Sequence, residues 1–145
     1  MTQDSLKLKL TTHATTAGFA KIFYDSPEIW NINRTKQDTS RYPGVVFYPT
    51  QWVIPVMDKP YFDITMKIWI INDMTKAARA LVSDTDKQQV WDYCTTLMSV
   101  LQAQINTDSN LEIVSDLTGD LMYPGDVGVD KDMGVMFSCT LRIYC

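Results

Sequence analysis

The chain has a single histidine, His13, and that scarcity removes most familiar enzyme sites at once. A Ser-His-Asp or Cys-His arrangement would have to use it, yet it sits in the polar stretch TTHATT, where a surface position is the simpler expectation. No P-loop, G-x-G-x-x-G or G-x-S-x-G pattern occurs, so the phosphate cradles and nucleophile elbows those patterns build are missing too. The expectation is a protein with no catalytic set and no cofactor. Cysteine is also sparse: Cys94, Cys139 and Cys145 are an odd number without C-x-x-C spacing. They fit buried thiols in a reducing compartment better than a disulfide framework or a zinc site. No basic run appears, and 13 Lys and Arg stand against 17 Asp and Glu, for a net charge of −4. The electrostatic footprint of a nucleic-acid binder is therefore lacking. The longest apolar stretches are four to five residues, far short of the roughly 20 that span a bilayer. The start, MTQDSLKLKL, has no apolar h-region and carries Asp4, so a secretory signal is not expected. Synthesis in a cytoplasm, with no membrane partner, is the resulting expectation.

What is present is an ordinary globular balance, 46% hydrophobic and 21% charged over 145 residues. That length suits one domain, able to bury about 68–70% of its unfolded surface. The expected division is a helical and loop region over 1–40 and a sheet-and-helix core over 42–145. Two segments alternate strictly. In YFDITMKIWII, Phe62, Ile64, Met66, Ile68 and Ile70 take one face, and Asp63, Thr65, Lys67 and Trp69 the other. In GVMFSCTLRIYC, Val135, Phe137, Cys139, Leu141 and Ile143 oppose Met136, Ser138, Thr140, Arg142 and Tyr144. Period-two alternation marks strands with one oily face, and two such strands predict neighbours in one antiparallel sheet whose oily face needs a cover.

The cover is DTDKQQVWDYCTTLMSVLQAQI. Val90, Trp91, Cys94, Leu97, Met98, Leu101 and Ile105 fall on one helical stripe, with Asp84 or Asp86 able to cap its start. The spacing of Ala14, Ala17, Phe19, Ile22 and Phe23 predicts a further helix near 13–25, and Ser26-Pro27-Glu28 a short one. VVFY, residues 45–48, is β-branched and aromatic, hence a strand. Pro43, Pro49 and Pro55 around it predict edge strands or strand ends. MTKAARALV predicts a short helix and LEIVSD a short strand. Residues 118–134 are rich in Gly and Asp and predict a long loop. The fold class is thus α+β, a mostly antiparallel sheet packed on one principal amphipathic helix plus an N-terminal helix.

Candidate site residues are few. Asp126, Asp130 and Asp132 alternate with small residues, as in oxygen-rich loops that hold calcium, but their spacing does not match an EF-hand loop, and no metal is expected. Asp63 with Asp73 has no partner motif for acid–base work. The aromatics say more. Trp52, Tyr61, Trp69, Tyr123 and Tyr144 fall on the non-core face or in loops, and Met122 and Tyr123 sit beside Pro124 in a loop. Trp and Tyr carry much of the energy of protein interfaces, and exposed apolar residues mark partners. The eight methionines suit packing against adaptable surfaces. These six residues form the expected partner interface.

The fragments YPGVVFYP, WIINDM, DKDMGV and the closing RIYC, in this order and spanning 42–145, resemble the tail-terminator and tail-completion proteins of tailed bacteriophages. More narrowly, they resemble neck and tail proteins of phages and prophages of Bacteroidetes-type bacteria. The resemblance implies a virion structural protein, made in the host cytoplasm. It would form a homo-oligomeric ring at the head–tail junction or tail end, contact neighbouring neck and tail proteins, and let DNA pass through its lumen. The alternative is a small non-viral α+β module that binds a peptide or protein through an edge strand near Pro43 to Pro55.

Overall fold

A computed structural model describes residues 1–26, 42–52, 59–73, 83–122 and 132–144. The chain is α+β. Helix α1 (Gln3–Ala17) leads into strand β1 (Lys21–Tyr24), followed by β2 (Gly44–Pro49) and β3 (Tyr61–Asp73). Helix α2 (Asp84–Asn106), β4 (Leu111–Ile113), β5 (Thr118–Met122) and β6 (Asp132–Tyr144) complete it. The sheet order is β1-β2-β3-β6-β4, with β5 also on β6. Among the described strands, β1–β2 is the only parallel pair.

The two alternating segments are the centre of this sheet. They pair antiparallel along their full length, from Tyr61 opposite Tyr144 to Asp73 opposite Asp132. Opposite residues share a face, so the two oily sets combine. α1 and α2 cover them, and Leu6, Leu10 and Ala14 from α1 join Val90, Cys94, Met98, Leu101 and Ile105 from α2 in one core with the sheet. Each large side chain fully covered there contributes about 1.5–3 kcal/mol. α2 begins in a capping box. The Ser83 hydroxyl accepts from the Asp86 N–H, and the Asp86 carboxylate accepts from the Ser83 N–H, satisfying two of the donors that a helix start leaves open.

Three local expectations need correction. The N-terminal helix runs over 3–17, not 13–25. Thr2 caps it, and its end is Gly18, with φ at +102°. This left-handed position suits glycine, and the Phe19 N–H closes the turn on the Ala14 carbonyl. Residues 21–24 are then strand. Of the two expectations for the prolines around β2, the strand end holds: Pro43 lies just before the strand and Pro49 is its last residue, while β1 and β3 take the strand's two sides. Residues 118–122 are the strand β5 and 132–134 the start of β6, where a loop was expected. Leu121 faces the core, and Met122 packs on the opposite face, so TGDLM pairs despite its poor strand formers. The short strand expected in LEIVSD is β4. The helices expected after Ser26 and over 74–82 lie outside the described residues.

Candidate interaction face

The face of the sheet turned away from the helices has two halves, set by residue type along β3 and β6. Toward Asp73 it is apolar. Val46, Trp69, Ile71 and Met136 form a second, smaller buried cluster, with Phe23, Tyr42 and Met122 packed around it. Toward Tyr61 it is polar, carrying Asp63, Thr65 and Lys67 beside Arg142, Thr140 and Ser138.

At the polar end the side chains form a connected set across three strands. Asp63 lies opposite Arg142, and Arg142 lies opposite Glu112. The Arg142 guanidinium donates from Nε to Asp63 Oδ1 at 2.8 Å and from Nη2 to Oδ2 at 3.1 Å, a two-point geometry that only arginine offers. The Tyr61 ring lies under the same guanidinium, 4.0 Å from its centroid, an attraction between cation and ring quadrupole. Tyr144 meets Tyr61 edge-on at 6.0 Å and donates its hydroxyl to Glu112 Oε2 at 2.6 Å. The Arg142 hydrogen bonds hold the Asp63 carboxyl below its usual range. The Asp63 carboxylate in turn holds the Arg142 proton more firmly, and the bond to Glu112 raises the Tyr144 phenol. The result is a partly exposed surface of two tyrosines and one arginine, fixed in place by its own contacts.

The expected interface residues therefore divide. Tyr61 and Tyr144 come together as described. Trp69 is on the expected face but buried, 1% exposed, because that half of the face is apolar and closes over it. Trp52 is a correction of a different kind: it packs against the helix-side core, edge-on to Phe62 at 5.4 Å. Met122 is half-buried at the edge of the smaller cluster, and Tyr123 lies outside the described residues. Asp63, Arg142 and Glu112 were not expected as site residues. The alternation put Asp63 and Arg142 on one face, but only the register brings them opposite.

Other candidate chemistry is dispersed. His13 bonds Asp108 through Nε2 at 3.1 Å, and Lys9 bonds the same carboxylate at 2.9 Å, a tether between α1 and the end of α2. Asp63 and Asp73 are ten positions apart on one strand, roughly 30 Å along it, so they cannot act on one group. Asp126 and Asp130 lie outside the described residues. Among the described residues, no group of three or more His, Cys, Asp or Glu is placed to hold a metal ion, and no helix is long and apolar enough to cross a membrane. A shallow cleft of about 320 Å³ lies between the start of α1 and the ends of β1 and β2, lined by Gln3, Tyr24, Asp25, Ser26, Tyr48 and Pro49. Compared with known proteins, the chain matches no family model and no curated sequence.

Proposed function

We propose that this protein is a virion structural subunit of a tailed phage, forming a homo-oligomeric ring at the neck or tail end without catalysis. The observation that carries this reading is the pre-ordered Tyr61–Arg142–Tyr144 surface on the sheet face away from the helices. Tyrosine and arginine are enriched among residues that dominate binding energy, and side chains already fixed lose less freedom on association. The resemblance over 42–145 supplies the setting, with neighbouring neck and tail proteins above and below the ring. The acidic sum agrees with a lumen that DNA passes without adhering.

Native mass spectrometry and negative-stain imaging of the purified chain test the reading, alone and mixed with the neck and tail proteins encoded beside it. A closed ring of defined stoichiometry supports it. A chain that stays monomeric under both conditions overturns it. The peptide-binding alternative named an edge near Pro43 to Pro55; the β2 part of that span is paired on both sides, and Pro55 lies outside the described residues.

A further inference from the structure

Among the described residues the sheet ends on one side in β4 and β5, both on β6, and on the other in β1 on β2; β1 and β5 are the longer of these edge strands. They match in four respects. Their lengths are close, four and five residues. Their directions are opposite, since β1 runs with β2, β2 against β3, β3 against β6 and β6 against β5. A second copy continuing the sheet would therefore lay its β1 antiparallel to β5.

Their layers also match. Ile22 on β1 and Leu121 on β5 both pack on the helix side. Phe23 and Met122 both pack on the smaller cluster. That cluster runs along a row of directly opposed residues from Phe23 through Val46 and Trp69 to Met136, where Asp120 continues it at the far edge. The adjacent row runs from Lys21 through Gly44, Ile71 and Gly134 to Met122. Each edge thus carries one apolar and one charged side chain on this face, in opposite order.

The charges are the fourth match. Lys21 is exposed, with its ammonium 5.5 Å from the Phe23 ring centroid. Asp120 is exposed, and no ion pair joins it to another of the described residues. With the rows carried straight across a junction, Asp120 of one copy and Lys21 of the next are diagonal neighbours, within reach of a long side chain. Two β5 edges paired about their central residue would oppose aspartates, which is unfavourable. Charge on an edge strand also blocks indiscriminate pairing. Opposite charges on the two edges leave the β1–β5 union favoured, which is head-to-tail and closes into a ring when the rotation permits.

We infer that subunits join by β1 of one copy adding to β5 of the next, with Lys21 and Asp120 as the matching charges. This rests on the ring reading above and names the contact between its subunits, leaving the Tyr61–Arg142–Tyr144 surface for the neighbouring neck and tail proteins. The test is a charge exchange in the full chain: Lys21→Glu, Asp120→Lys, and both together, followed by native mass spectrometry and sedimentation. Both side chains are exposed, so thermal unfolding of each variant should match the wild type. Each single exchange should weaken association roughly tenfold, and the double exchange should restore it. A wild type that assembles while the single exchanges assemble equally well, or while the double exchange fails to recover, overturns the β1–β5 junction and leaves the ring standing. A wild type that never assembles removes both.

Discussion

Lys9 on α1 and Asp108 just past α2 meet at 2.9 Å, although ninety-nine positions separate them in the chain. The Asp108 side chain is only 10% exposed. Burial alone would raise its pKa, but the Asn110 N–H, the Lys9 ammonium and the His13 ring outweigh that and bring it down to about 2. A carboxyl depressed on folding stabilises the fold above its unfolded value, near 3.8, and loses that contribution as pH falls through its folded value. Stability should therefore drop between about pH 4 and pH 2, with Asp108 contributing on the order of 2 kcal/mol. Urea unfolding of wild type and Asp108→Asn across that range checks it. The variant should be less stable at neutral pH, and its curve should be flatter in this window.

A second prediction separates two leucines on α2. Leu101 is fully buried, whereas Leu97 is half-buried at the margin of the core. Leu101→Ala should cost about 2–5 kcal/mol, the range for a truncation that leaves a cavity. Leu97→Ala should cost less, about 1–2 kcal/mol, because solvent and neighbouring side chains can close the space. Denaturant midpoints of the two variants at equal m-value give the order directly.

That pair also shows where sequence periodicity stops being informative. The helical stripe from Val90 to Ile105 identified α2 and all five of its buried residues, but it gave Trp91 and Leu97 the same standing as Leu101. The period fixes a face, and only packing fixes how deep each residue sits on it. β3 and β6 were legible for the same reason, each with five alternating apolar residues, Phe62 to Ile70 and Val135 to Ile143, whereas residues 68–71 and 135–137, buried on both faces, and residues 132–134 were not. α1 was misplaced because threonines fill its outer face, and threonine is a weak helix former in isolation. In the fold, the hydroxyls of Thr11, Thr12, Thr15 and Thr16 each donate to the carbonyl four residues back, and the signals that define the helix are its ends, Thr2 and Gly18. The Tyr61–Arg142 surface needed the register between two strands eighty residues apart, which no local pattern carries.

Backbone proximity rather than packing decides a third prediction. Gly134 on β6 lies so close to β3 that a Cβ there would overlap the carbonyl oxygen of Ile70. Backbone cannot swing aside as a side chain does, so Gly134→Ala must push the two central strands apart. The expected loss is about 3 kcal/mol, at the upper end of overpacking costs. Gly119→Ala is the comparison. Its Cβ would meet the ends of the Val135, Trp91 and Phe137 side chains at 2.9 to 3.2 Å, and these can shift, for a loss of about 1 kcal/mol. Equal losses at the two sites, measured by thermal unfolding, would contradict the assignment of Gly134 to a backbone contact.

The last prediction concerns the thiols. Cys94 and Cys139 are both buried in the helix-side core, and burial pushes each pKa up to about 12. The Cys94 Sγ also lies 3.6 Å from the Ile70 carbonyl oxygen, as a weak donor. Thiolate is the reactive form, so at pH 8 both residues should resist iodoacetamide in the native protein and react promptly in urea, where ordinary thiol acidity returns. Because their folded values are raised, they stabilise the fold fully below the unfolded thiol value near 9. That contribution is lost as pH climbs from there toward 12. Peptide mapping after timed labelling reads the two sites separately. Native-state labelling of either at the rate seen in urea would mean that α2 does not stay closed over β3 and β6, which is the packing that holds the opposite face in register.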